Sequence, residues 1–180
     1  MKTRTWTHAI GAAVLALAAS SGAAPAFAQT GAQTDAPAGA PQAAAPTTSF
    51  ASGADVQAQL RQMLAAMKPD QGFMWRPLVR DGDTVAAIEI WKKPGRPAVH
   101  PAEAEYAIVL EGSGTLVSGG TMADPEARRP NLVEGSRIEG GATRPLAAGD
   151  VILIPAGVPH WFGITGDRLV LLGIKLPGAK

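Results

Sequence analysis

The sequence predicts an all-β fold, an antiparallel barrel or sandwich, with one helix in front of it. After Gln71, roughly eight short segments rich in β-branched and aliphatic residues follow one another without a helical pattern between them. Turn residues such as Gly119-Gly120, Gly140-Gly141 and Gly166-Asp167 separate several of these segments. Strands that follow each other without helices favour an antiparallel fold over an alternating α/β sheet.

Residues 1–28 have the pattern of a secretory signal peptide. Lys2 and Arg4 precede an apolar run over residues 9–19, and Ala26-Phe27-Ala28 is a small-x-small cleavage site. The run is shorter than the roughly 20 apolar residues that span a bilayer. We therefore expect cleavage after Ala28 and a periplasmic or secreted protein with no stable membrane anchor. A retained N-terminal anchor is the alternative.

The composition of the chain excludes several classes of function. Removal of Lys2 and Arg4 from the 16 basic residues leaves 14 against 15 acidic ones, without a basic cluster. This balance gives no electrostatic reason to expect nucleic acid as a partner. The chain has no cysteine, which excludes disulfides, thiol catalysis and cysteine metal ligands.

The mature chain is predicted to begin with a linker and a helix. Residues 29–50 are rich in alanine and proline and contain few large apolar residues, so we expect a disordered linker. Residues 51–70 are predicted to form an amphipathic helix that begins at a capping box of Ser52 and Asp55 and ends before Pro69. Its apolar stripe is Val56, Leu60, Met63, Leu64 and Met67.

Residues 71–180 are predicted to form the β-barrel. Segments 107–110, 151–154 and 169–172 are apolar at every position, which implies that both faces of these strands are covered. The helix or a second copy of the protein could provide the cover, and we expect a homodimer. Residues 119–137 are predicted to be an excursion between strands. The predicted strands are 84–91, 105–111, 114–117, 136–139, 143–146, 151–154, 160–164 and 168–175.

The candidate metal ligands are His100, Glu105 and His160. The two histidines are the only ones outside the first eight residues, and each lies at the start of a predicted strand or just before one. Two imidazoles and one carboxylate hold a divalent transition metal and leave coordination positions open. Glu103 is the alternative carboxylate.

Other side chains are weaker candidates for contact with a ligand. Tyr106 and Trp161 are candidates to line the pocket, and packing in the core is the alternative for Trp161. Trp75 and Arg144 are further candidates. No residue stands out as a general acid or base, so the catalytic residues are unknown.

The second half of the pattern resembles a motif of the cupin superfamily. Gly149, Pro155, Gly157 and His160 have the spacing of the second cupin motif, and Ile164 stands where an asparagine is usual. The resemblance covers about residues 73–177. It implies a jelly-roll β-barrel in which the matching histidine binds a metal.

The first cupin motif is recognisable in the chain but degraded. Gly112, Glu105 and His100 match its glycine, its glutamate and its second histidine, while Ala98 stands at the first histidine and Lys92 at the leading glycine. The resemblance implies that His100 and Glu105 bind the metal together with the histidine of the second motif.

The loss of a ligand at Ala98 affects the expected chemistry. Two histidines and one carboxylate form the ligand set of non-haem iron oxygenases, and zinc is also held by three protein ligands and a water. We therefore expect one divalent transition metal, which is Fe, Zn, Mn, Ni or Cu. Alternatively, the metal affinity is so low that the pocket is a metal-free binding site.

Three functions fit the sequence. The first is a metal-dependent dioxygenase, lyase or isomerase that acts on a small oxygen-bearing substrate. The second is a non-catalytic cupin that binds or senses a small ligand or a metal. The third is an accessory subunit that binds another protein through its apolar outer face. The fold alone does not decide among them.

Overall fold

The computed structural model describes residues 47–177 and confirms the all-β fold with one N-terminal helix. The predicted signal peptide and residues 29–46 of the predicted linker lie outside the described residues. Within them, the elements are α1 (Gly53–Ala66), β1 (Phe73–Asp81), β2 (Thr84–Trp91), β3 (Ala98–Val99), β4 (Glu103–Ser118), β5 (Thr121–Ala123), β6 (Glu126–Arg129), β7 (Leu132–Glu134), β8 (Arg137–Glu139), β9 (Ala142–Ala147), β10 (Val151–Ile154) and β11 (His160–Pro177).

Two long antiparallel strands, β4 and β11, form the centre of a curled sheet. They pair from Pro177 opposite Glu103 to His160 opposite Ser118. On its other edge, β4 pairs with β10 and then with β9, and β11 pairs with β2 at one end and with β3 at the other. β1 extends the sheet beyond β2. At the other end, β7 and then β6 extend it beyond β3, while β5 and β8 form a separate two-stranded sheet. Such a curled antiparallel sheet is a jelly-roll β-sandwich.

The helix α1 begins at the predicted capping box. The Ser52 hydroxyl accepts a hydrogen bond from the Asp55 backbone N–H at 3.2 Å, and the Asp55 carboxylate accepts one from the Ser52 N–H at 2.8 Å. The apolar stripe of α1 packs on the outer face of the sheet, in a cluster with Ile88, Ile90 and Val170. No helix in residues 47–177 has the length and apolarity that a bilayer crossing requires.

Strand β2 separates the outer core from the barrel interior. Ile88 and Ile90 point towards α1, so the alternating residues Glu89 and Trp91 point inward, where both line a cavity. The inner core fills the rest of the barrel with Ala107, Val109, Leu116, Leu146, Ile152, Ile154, Phe162, Leu169 and Leu171.

The helix covers only part of the outer face. Val170 is buried beneath it, and Leu110 packs against the same cluster. Val151 and Leu153 on β10 are each 62% exposed, so the described chain leaves this strand uncovered on its outer side. The expected second copy therefore stays a prediction.

The observed strands differ from the predicted ones where two predicted segments form one strand and within the polar residues 119–137. Segments 105–111 and 114–117 belong to one strand, because Gly112 takes a φ of 83° inside it and lets the strand bend without ending. Segments 160–164 and 168–175 are likewise one strand. Residues 119–137 contain short strands such as β6, whose four residues are all exposed and whose polar sequence carries no alternating apolar pattern. β1 was absent from the predicted strands.

Candidate metal centre

His100, Glu105 and His160 meet inside the barrel although they are far apart in sequence. His100 follows β3, Glu105 lies near the start of β4, and His160 begins β11. Glu105 is 3% exposed and His160 is 4% exposed. His160 lies directly across from Ala98, so the position at which the cupin motif has its first histidine is next to this site.

One ligand atom from each of the three residues lies within 4.8 Å of the other two. The Glu105 Oε2 atom is 3.1 Å from His160 Nε2 and 3.7 Å from His100 Nε2. The two imidazole rings stack with their centroids 5.5 Å apart. Ligand atoms that share an ion at about 2.1 Å lie roughly 3 to 3.5 Å from each other, so these separations are close to those of a coordinated metal.

Hydrogen bonds to the backbone place a hydrogen on the Nδ1 atom of both imidazoles. His100 Nδ1 lies 3.0 Å from the Asn131 carbonyl oxygen, and His160 Nδ1 lies 3.0 Å from the Val158 carbonyl oxygen. A carbonyl oxygen only accepts, so each Nδ1 carries a hydrogen. When a ring gives up its other proton, the lone pair is therefore on Nε2, the atom that lies nearest Glu105. Metal-binding histidines are oriented in this way, and the donor set therefore fits a metal ion.

His100 is kept neutral by its surroundings. Burial lowers the pKa of His100, and the nearby Lys175 ammonium lowers it further. The loop that carries His100 is held by Asn131, whose side-chain oxygen accepts a hydrogen bond from the Ala102 N–H at 2.7 Å. A neutral imidazole is the form that binds metals.

Lys175 is a residue of the site that the sequence did not reveal. Its ammonium group donates to Glu105 Oε2, and the two residues are direct neighbours across β4 and β11. Burial alone would raise the pKa of Glu105, but the hydrogen bond with His160 and the Lys175 charge lower it to about 2. Glu105 is therefore ionised, as a metal ligand must be.

Glu89 is the second residue that sequence reasoning missed. Its side chain lines the cavity and is 8% exposed as a residue, and its Oε2 atom accepts a hydrogen bond from Trp91 Nε1 at 3.1 Å. Burial raises the pKa of Glu89 to about 7, and the nearby Glu105 carboxylate adds to the rise. The sequence did contain one indication of this role, because Glu89 is an acidic residue in the middle of a largely apolar strand.

An open cavity of about 630 Å³ leads to the three candidate ligands. Trp161 and Trp75 line it, and Trp161 Nε1 donates to the Gly95 carbonyl at 2.9 Å. Tyr106 is not among its lining residues in the described chain, because Tyr106 follows Glu105 in β4 and alternation turns it to the opposite face. Arg144 and the alternative carboxylate Glu103 are not among the lining residues either.

The comparison with protein families is consistent with this geometry. A family model described as Cupin matches residues 95–175, which include His100, Glu105 and His160. Residues 95–175 are therefore a cupin domain. The match covers somewhat less than half of the chain, and the helix α1 and strands β1 and β2 lie before it. No curated protein is significantly similar to the chain in sequence.

Solved structures resemble the cupin domain at low sequence identity. TT1209 from Thermus thermophilus is 19% identical with a TM-score of 0.46, over 66% of this chain and 95% of that one. The Cnp3 cupin domain of Schizosaccharomyces pombe is 12% identical with a TM-score of 0.44, over 63% and 71%. The polyketide cyclase RemF from Streptomyces resistomycificus is 24% identical with a TM-score of 0.42, over 58% and 65%.

Proposed function

We propose that this cupin is an exported metalloprotein that holds a divalent transition metal through His100 Nε2, Glu105 and His160 Nε2, and that it catalyses a metal-dependent reaction on a small oxygen-bearing substrate. The observation that carries the proposal is the convergence of three ligand atoms within 4.8 Å of one another in an open cavity. Iron, zinc, manganese, nickel and copper all accept such ligands.

The chemistry follows from the number of protein ligands. A set of two imidazoles and one carboxylate leaves coordination positions for a substrate. When bound, the metal would supply a Lewis acid for a carbonyl or carboxylate group, or a site for O₂. The dioxygenase, lyase and isomerase reactions all use this arrangement.

The chain's own residues contribute charge and proton transfer. Glu89 has a pKa of about 7 and faces the cavity, so its carboxyl group is able to hold or release a proton near neutral pH. The Lys175 ammonium beside Glu105 helps to keep this carboxylate ionised for a metal. Glu89 is therefore our candidate general acid or base.

Activity assays of reconstituted protein test the proposal. Chelator-treated protein is loaded with one metal at a time and mixed with small phenols, diketones and hydroxy acids, while O₂ uptake and product formation are followed. We expect turnover with one metal, its loss in the Glu105→Gln variant, and its retention in Glu103→Gln, which alters a carboxylate outside the cavity. Equal turnover in metal-free and loaded protein would contradict the proposal.

A non-catalytic binding protein is the second candidate, and the Lys175 contact favours it. The ammonium group already compensates the buried charge of Glu105, so the site is electrostatically balanced without a metal. Ligand binding that is equally strong with and without metal, together with absent turnover, would select this candidate.

Export and assembly are proposals of their own. The signal-peptide pattern of residues 1–28 supports export, which mass spectrometry of the periplasmic fraction tests by a mature N-terminus at Gln29. A cytoplasmic chain that retains Met1 would contradict it.

The exposed Val151 and Leu153 support a homodimer, since a second copy would cover them. Analytical ultracentrifugation of the Leu153→Glu variant tests this. We expect a dimer that dissociates in the variant, and a monomeric wild type would contradict the proposal.

A further inference from the structure

Aromatic side chains form a continuous wall from the mouth of the cavity to His160. The ring centroids of Phe73 and Trp91 are 4.2 Å apart, those of Trp91 and Phe162 are 6.4 Å apart, and those of Phe162 and His160 are 6.1 Å apart. Phe73 is 41% exposed whereas Phe162 is 6% exposed, so the wall leads inward from solvent. Trp75, which is 46% exposed, lines the same cavity. We call Phe73, Trp75, Trp91 and Phe162 the aromatic wall.

The central ring of the aromatic wall is held in a fixed orientation. Trp91 Nε1 donates to Glu89 Oε2 at 3.1 Å, and a Cβ atom at Gly95 would lie 2.6 Å from the Trp91 ring. The loop at Gly95 therefore packs on the ring only because it has no side chain there. A surface that is ordered before binding loses little conformational entropy when a ligand stacks on it.

Among the described residues, the charged side chains that line the cavity leave one cation without an ion-pair partner. Glu134 is shared by Arg96, at 3.6 Å, and by Arg128, at 3.1 Å. Lys175 is paired with Glu105. Arg129 also lines the cavity, and it has no ion-pair partner among residues 47–177. An exposed guanidinium group beside the cavity favours an anionic group, and carboxylates match its geometry.

We propose that the cavity binds a planar aromatic carboxylate, with its ring stacked on the aromatic wall and its carboxylate directed to Arg129. The cavity volume of about 630 Å³ suits a small molecule of this kind. The inference names the substrate class for the proposed function and places it in the same cavity. Binding of this ligand does not need a bound metal, so experiments are able to reject the ligand class and the metal-dependent function separately.

Three matched probes test the ring and the charge. Cinnamate carries both features, cinnamyl alcohol keeps the ring without the charge, and 3-cyclohexylpropionate keeps the charge without a flat ring. Calorimetry and tryptophan fluorescence are measured with chelator-treated and metal-loaded protein. We expect cinnamate to bind both forms more tightly than either other probe. No binding of cinnamate to either form, or equal binding of 3-cyclohexylpropionate, would overturn the inference.

Two variants assign the contacts. We expect Trp75→Ala to weaken cinnamate binding about 3- to 10-fold through lost stacking. Arg129→Gln should weaken it by a similar factor at low salt and by less at high salt, while cinnamyl alcohol binding stays unchanged. The matched controls are Phe50→Ala, an 80% exposed aromatic residue outside the cavity, and Arg80→Gln, an exposed arginine outside it.

The variant results separate this inference from the metal assignment. If Trp75→Ala and Arg129→Gln bind cinnamate as the wild type does, the inference is wrong whatever the metal content. If both variants lose affinity while the protein binds no metal, the substrate class stands and the metal-dependent function falls. Circular dichroism of each variant excludes unfolding as the cause of a loss.

Discussion

The buried carboxyl group of Glu89 makes the stability of the metal-free protein depend on pH. Burial raises the pKa of Glu89 from 4.5 to about 7, so between these pH values the folded protein binds a proton that the unfolded chain has released. Stability therefore falls as the pH rises from 4.5 to 7. Above pH 7 the carboxylate is ionised in both states, and the folded state has the full cost of a buried charge.

The substitution Glu89→Gln removes this charge and keeps the shape of the side chain. The pKa difference between 4.5 and about 7 corresponds to about 3 kcal/mol at roughly 1.4 kcal/mol per pH unit. The amide oxygen is still able to accept the hydrogen bond from Trp91 Nε1. We therefore expect the variant to be more stable than the wild type by up to about 3 kcal/mol at pH 8, and by little at pH 5.

Urea unfolding of chelator-treated protein from pH 5 to 8 measures this difference. Titration of His100, whose pKa is lowered, affects the wild type and the variant alike and cancels in the comparison. The lowered pKa of Glu105, about 2, affects stability only below this pH range. Glu103→Gln is the control and should show no such gain. If Glu89→Gln is no more stable than the wild type at pH 8, the reasoning is wrong.

Three further predictions concern the ligand set and the barrel. Ala98→His should raise the metal affinity about tenfold or more, because it restores a ligand of the cupin motif across from an existing one; competition with a chromogenic chelator measures it. Lys175→Met should raise it about tenfold, because a cation no longer competes for Glu105. Gly112→Ala should destabilise the protein by more than about 1 kcal/mol in urea, since its Cβ would lie 2.0 Å from the Arg168 carbonyl oxygen.

Each of these predictions has a control or an excluding result. Metal affinity that is unchanged in Ala98→His would show that a side chain at this position does not reach the metal bound by His160. A lower affinity in Lys175→Met would mean that the ammonium group supports the metal. Gly82→Ala is the control for Gly112→Ala, because Gly82 also has a positive φ of 54° but no atom within 4 Å of its added Cβ. Equal losses in both variants would contradict the steric argument.

The convergence of the three candidate ligands was predictable from short motifs. Gly157 takes a φ of 78° in the turn before β11, and this turn delivers His160 to the barrel. Glycine and proline at fixed spacing encode such a turn locally, so the sequence reveals it. The spacing from Gly112 back to Glu105 also indicated Glu105 over Glu103, and the structure brings Glu105 to the histidines.

The partners of these residues across the sheet were not predictable. Lys175 meets Glu105 because of the register between β4 and β11, which depends on long-range pairing and on bulges near Leu169 and Leu171. Glu89 lies on β2, which belongs to neither motif. Tyr106 is a different case, since the two-residue period of a strand already places it on the face opposite Glu105.

Metal analysis of the purified mature protein tests the central assignment most directly. Inductively coupled plasma mass spectrometry should find close to one divalent transition metal per chain in the wild type and in the control Glu103→Gln. His100→Ala and His160→Ala should each lose most of it, because two remaining ligands hold a metal weakly. Bound metal at wild-type levels in both histidine variants would contradict the account.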